Sequence, residues 1–181
     1  MANRTKKLIL QTFTEMLETT PFDRISVSAL TRRCEISHNT FYYHYRDIYD
    51  LLDAWLETEL DRPLAKAQQA GAKEFLRDLL QCCKERRKTV YHLFDCLSRD
   101  QLERYLFTRS DRIVLPYIRE LASGKDLPEE RLVMLAGFCR YSLMGFFIEY
   151  LWNSMSEDPA ALAERVYGVL SSFIRAEIEV P

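Results

Sequence analysis

The run Ser37-His38-Asn39-Thr40-Phe41-Tyr42-Tyr43-His44-Tyr45 decides how this chain is read. Nine residues hold four aromatics, two histidines and no acid, and Ser37 is a good helix N-cap. Such a composition suits a surface that meets a polyanion, and the phosphate backbone of DNA is the candidate. Just upstream, Val27, Leu30 and Cys34 stand at i, i+3 and i+7, the spacing of one helical face. Glu35-Ile36-Ser37 then separates that helix from the aromatic one. The pattern is helix, three-residue turn, helix, whose second member enters the major groove.

Spacing also assigns the faces of the second helix. Phe41 and Tyr45 are four apart and continue the apolar set begun by Ile36, so they point inward. His38, Asn39, Thr40, Tyr42, Tyr43 and His44 are left for the duplex. Asn39 can pair a donor and an acceptor with adenine, and His38 can read a purine acceptor. Thr40, Tyr42, Tyr43 and His44 carry hydroxyl or ring N–H groups that can donate to phosphate oxygens. Ser26, read as the N-cap of the first helix of the pair, Ser28, Ser37 and Arg46 complete the expected DNA-facing set. A lone aromatic-rich helix is ordinarily a buried core helix, but the helix-turn-helix context weighs against that here.

The run from Ile25 to Tyr45, followed by Asp50-Leu51-Leu52, resembles the tetracycline-repressor (TetR) family of one-component transcriptional regulators. That resemblance implies an all-α chain with two parts. Residues 1–48 would form a three-helix, helix-turn-helix DNA-binding head, and residues 49–181 a helical effector-binding and dimerisation domain. It further implies a homodimer on a palindromic operator, released by a small effector, with Arg4, Lys6 and Lys7 of the first helix near phosphates. A solvated charged end is the competing reading of those three. Two positions depart from the family pattern: Glu35 stands where the turn usually has Gly, and Ile48 where a phosphate-contacting Lys is common. The second favours an alternative, a protein-binding co-regulator of the same fold with weak or no operator binding. Arg46 is placed to compensate.

Composition agrees with a helical regulator. The 181 residues are 48% hydrophobic with five glycines and six prolines, enough to bury a core. Net charge is −2, yet residues 1–48 hold seven Lys/Arg against five Asp/Glu while the rest hold 18 against 22. Cysteines 34, 82, 83, 96 and 139 lack metal-site spacing, and no signal sequence with an apolar core precedes the first helix. A reduced, cytoplasmic setting follows. Small core residues is the simpler reading of the cysteines, with redox sensing beside it. His38 and His44 splay by about 240° around a helix and cannot share a metal. With no nucleophile-base pair, phosphate loop or ligand cluster, neither an enzyme nor a cofactor is expected.

Outside the head, helical spacing continues. Asn3–Thr19 reads as a helix with Ile9, Phe13, Met16 and Leu17 inward. A fourth helix starts at Asp47 and runs through Leu51, Leu52, Trp55, Leu56 and Leu60 to Pro63. Residues 64–84, 86–97 and 99–122 follow, with Gly71, Ser98 and Ser123-Gly124 as breaks. Leu132 to Trp152 is apolar almost all round, which predicts burial on every side; Arg140 and Glu149 make a membrane span expensive. Leu162, Val166, Val169, Leu170, Phe173 and Ile174 mark a seam on the last helix. The family resemblance makes these two helices the dimer interface, with Gly137, Gly145, Trp152, Val166, Leu170 and Phe173 as its residues. Trp55, Phe107, Tyr117, Phe138 and Tyr141 are the aromatic set expected to hold a small apolar or aromatic effector, against the reading that they fill a core. The Gly-rich helix ending in Tyr150-Leu151-Trp152 is also similar to the C-terminal domain of a Firmicutes-type subgroup, some members of which work with a protein partner.

Overall fold

The computed structural model describes the backbone of residues 2–179, and their side chains except those of 2, 60–70, 99, 106 and 108–111. Among the described residues all regular structure is helical. The α-helices are α1 (Ala2–Leu17), α2 (Val27–Arg33), α3 (His38–His44), α4 (Ile48–Ala70), α5 (Ala72–Glu85), α6 (Arg87–Phe94), α7 (Arg99–Leu121), α8 (Glu129–Trp152) and α9 (Pro159–Glu179), with a 3₁₀ turn at Phe22–Arg24. The all-α architecture expected from the sequence is what the chain adopts.

Local chemistry sets most of the helix ends. Asp47 opens α4 by accepting the amides of Tyr49 and Asp50 on Oδ1, each at 2.8 Å. The expected stop at Pro63 does not occur, and α4 continues to Ala70. A proline inside a helix costs about 3 kcal/mol, but residues 64–70 are mostly strong helix formers. The break falls instead at Gly71, whose φ of 101° only glycine adopts cheaply. Asp158 caps α9 through the Ala161 amide at 3.0 Å, with Pro159 in the first turn.

Packing divides the chain into two compact units, Met1–Arg62 with Arg86–Ser98, and Pro63–Glu85 with Arg99–Pro181. In the first, Ile9, Phe13, Met16 and Leu17 of α1 are buried with Phe22, Ile25, Leu30, Phe41, Tyr45, Leu51, Leu52 and Trp55. The Phe13 ring meets Phe22 and Trp55 edge-on at 6.3 and 6.1 Å, and Trp55 Nε1 donates to Thr14 Oγ1 at 2.8 Å. The front of α4 thus belongs to the head's own core. Leu60, expected on the same face, lies outside the described side chains. α6 packs on α1 within this unit, burying Thr89 and Leu93. His92 Nδ1 donates to the Leu17 carbonyl at 2.7 Å, and Arg86 pairs with Glu59.

In the second unit α5 lies along α9 and α7 along α8. α9 turns Leu162, Val166, Leu170, Ile174 and Ile178 into the unit. α8 buries Leu132, Leu135, Ala136, Cys139, Met144, Tyr150 and Leu151. It is not covered on every side, however: Val133, Met134, Phe138, Tyr141 and Trp152 are exposed. By length and composition α8 is also the one helix among the described residues apolar enough to cross a membrane. Arg140 and Glu149 lie within it, and a central Arg costs about 2.5–3.5 kcal/mol on insertion scales.

Candidate nucleic-acid interface

Three locking devices fix α2 and α3. Ser26 caps α2, its Oγ accepting the Ala29 amide at 3.1 Å. At the other end, the Ile36 amide donates to the Thr31 carbonyl at 3.0 Å and the Glu35 amide to the Arg32 carbonyl at 3.2 Å. These are the two bonds of a Schellman closure, which puts the residue after the C-cap in the left-handed region. That residue is Glu35, at φ 54°. A non-glycine there costs about 1–2 kcal/mol, yet the turn closes as a glycine would close it. Ser37 then caps α3, accepting the Thr40 amide at 3.1 Å and sharing a 2.8 Å hydroxyl bond with Thr40.

On this frame the faces of α3 separate. Phe41 and Tyr45 are buried, with Ile36 half-buried beside them. Burial pushes the Tyr45 hydroxyl up to about 12, with the Asp50 carboxylate adding to the shift. His38, Asn39, Tyr42 and Tyr43 are exposed, Tyr42 at 55% and Tyr43 at 78% of full accessibility. Thr40 and His44 are half-buried, His44 against the Tyr43 ring at 5.0 Å. Ser28 is exposed on α2 and its Oγ lies 3.1 Å from His38 Nε2. Ser26 and Ser37 spend their hydroxyls on caps, and the Ser37 hydroxyl also on Thr40.

Arg46 stands just past α3 with its side chain 85% exposed. Its backbone amide donates to Asp50 Oδ2 at 3.0 Å and its guanidinium to Asp50 Oδ1 at 3.3 Å, so one carboxylate orients both ends of the residue. The sequence reading missed that clamp, although the i, i+4 spacing of opposite charges signals it. From α1, Lys6 places its ammonium 6.0 Å from the Tyr45 ring, while Arg4 and Lys7 are exposed. Ile48 is half-buried.

Of the five residues expected to line an effector cavity, Trp55 belongs to the first unit and Phe107, Tyr117, Phe138 and Tyr141 to the second. Trp55 is committed to Phe13 and Thr14 in the first unit. In the second, Phe107 lies edge-on to Tyr141 at 4.8 Å with the Arg140 guanidinium 4.6 Å from its centroid. Tyr117 shares a 3.0 Å hydroxyl bond with Tyr167, and Phe138 pairs with Phe173 at 4.8 Å. Phe138 and Tyr141 are both more than half exposed, because they sit on the outward stripe of α8.

The expected dimer residues also divide. Val166, 2% exposed, and Leu170 are inside the protomer on the face α9 turns inward, so they are not available to a second copy. Gly137 and Gly145 face open space, Trp152 is 73% exposed and Phe173 is half-buried. Met134 and Val169 join the outward apolar face. Their signal was present in the spacing of Met134, Phe138, Tyr141 and Gly145 at i, i+4, i+7 and i+11. Burial pushes the Cys83 and Cys139 thiols up to about 12 and about 11, away from the thiolate that redox sensing needs.

A family model described as a transcriptional regulator C-terminal region matches residues 72–172. No curated protein matches the chain in sequence. Among solved structures, one described as "Dihydroxyacetone kinase operon activator DhaS" is similar over 95% of this chain and 97% of that one, with a TM-score of 0.71 at 16% identity. At that identity the likeness is one of fold.

Proposed function

Because this chain belongs to the tetracycline-repressor (TetR) family of transcriptional regulators, we propose that it is a cytoplasmic, homodimeric repressor that binds a palindromic DNA operator and answers to a small effector. Residues 1–48 carry the DNA-binding function and residues 49–181 the dimerisation and effector functions. One observation carries the reading: α3 is held on its inner face by Phe41 and Tyr45 and at its start by the Ser37 cap, and turns His38, Asn39, Tyr42 and Tyr43 outward as hydrogen-bonding groups. Asn39 reads an adenine edge, and Tyr42, Tyr43 and Arg46 take phosphates. The outward stripe of Met134, Phe138, Tyr141 and Trp152, with Val169 of α9, supports dimerisation through the second unit. Exposed apolar side chains at helical spacing are what an association surface is built from. Of the aromatic set in the second unit, Phe107 and Tyr117 are half-buried, as rings that meet an apolar effector would be.

Selection of bound sequences from a library of random duplexes tests this. A palindrome with half-sites about one helical turn, roughly 34 Å, apart is expected. A second reading, a co-regulator that docks on protein rather than DNA, is favoured by Ile48 in place of Lys and by Asp47 and Asp50 at the same helix start. Failure to enrich any sequence would promote it.

A further inference from the structure

Ser28 and His38 come from different helices, ten residues apart, and both are exposed, yet Ser28 Oγ and His38 Nε2 lie 3.1 Å from each other. Neither residue is needed for the fold there. α2 is already capped by Ser26, α3 by Ser37, and the turn between them is closed by the Glu35 and Ile36 amides. Resting on the DNA-binding reading above, we infer that Ser28 and His38 form one composite reading unit, in which each side chain fixes the hydrogen-bonding direction of the other.

The chemistry of the pair gives it a definite behaviour. A serine hydroxyl both donates and accepts, and a neutral imidazole has one nitrogen of each kind. When Nε2–H donates to Ser28 Oγ, the serine proton is free to donate to a base acceptor such as a purine N7. When the serine donates to Nε2, its oxygen is left to accept from an amino group of adenine or cytosine, and Nδ1 carries the imidazole proton. The unit therefore presents a single polar function, donor or acceptor, set by the direction of the bond across the turn, and so prefers one kind of base edge at one base pair. Two independent side chains would instead act separately, each with its own contact and its own loss on deletion.

That difference is measurable on the full-length protein. A duplex library is selected with the parent, Ser28→Ala, His38→Ala and the double variant, and the affinity of each is measured on the parent's enriched duplex and on its single-base-pair variants. The unit predicts that each single change flattens the preference at the same base pair by about fivefold, the scale of one hydrogen bond. The double variant should lose no more than either alone, and Ser28→Thr should retain the parent's preference. Thermal unfolding should be unchanged in all four, since both side chains are exposed. Additive losses, or losses at two different base pairs, would overturn the unit while leaving the DNA-binding reading intact. A uniform loss across all sequences would overturn it as well, because that is a phosphate contact or a structural effect. No enriched sequence for the parent would overturn the DNA-binding reading and the unit with it.

Discussion

α3 and α8 each turn aromatic side chains outward, and the two faces differ in what those side chains can bond. On α3 the exposed groups end in hydroxyl, amide or imidazole: Tyr42, Tyr43, Asn39 and His38. On α8 they end in thioether, phenyl or indole, at Met134, Phe138 and Trp152, with Tyr141 and two glycines between. The first face satisfies a hydrated, charged partner through directional bonds, and the second gains mainly by excluding water. The helices are also anchored differently. α3 is a seven-residue helix fixed by caps and two buried rings, whereas α8 is 24 residues long and buried along one side. A small, rigidly aimed surface suits recognition, and a long apolar one suits association.

The largest expected effect separates the two sides of α3 itself. Phe41→Ala removes a fully buried ring and should destabilise the first unit by about 3–5 kcal/mol, read by chemical denaturation. Tyr43→Ala, at the most exposed ring of the same helix, should leave unfolding within about 0.5 kcal/mol of the parent. Equal losses would mean that the two faces are not distinct.

On α8, Gly145→Leu is the matching probe. A Cβ at Gly145 meets nothing within 4 Å, so the protomer accommodates it, and a glycine replaced in a helix adds about 1 kcal/mol of helix propensity. Light scattering should show a shift from dimer to monomer, with circular dichroism still that of a folded helical protomer. An unchanged dimer would move the interface off this stripe.

Smaller again is the turn that joins the reading helix to its neighbour. Glu35→Gly should stabilise the protein by about 1 kcal/mol, since glycine occupies the left-handed region without the Cβ clash. Because the Schellman bonds are already made, DNA affinity should be unaffected. A destabilised Glu35→Gly variant would show that Glu35 contributes a contact larger than its strain.

The helix-turn-helix and the division of α3 into two faces were legible because they are local. Caps, a three-residue turn and four-residue spacing act within about ten positions, and Ser26, Ser37, Phe41 and Tyr45 all behave accordingly. What the sequence did not show is where a helix finds its partner. α6 has the spacing of any amphipathic helix, but its place beside α1 depends on His92 meeting the Leu17 carbonyl, 75 residues away. Spacing along α4 likewise gives no sign that the Trp55 indole N–H is bonded to Thr14, 41 residues away. Val166 and Met134 illustrate the same limit from both sides. Each is an apolar residue on a long helix, and only the packing of α9 along α5 and of α8 along α7 decides that the first is buried and the second exposed.

The most direct test of α3 as a reading helix compares the parent with Asn39→Ala on a selected duplex and on a scrambled one of equal length, at several salt concentrations. Asn39→Ala should lose about 1–3 kcal/mol on the selected duplex, confined to one base pair of each half-site, and little on the scrambled one. Both proteins should keep the same salt dependence, near −0.9 in log-log slope per phosphate contact, because the amide touches no phosphate. Equal affinity of parent and variant for the selected duplex, or equal loss on both duplexes, would contradict the assignment of α3 to base reading.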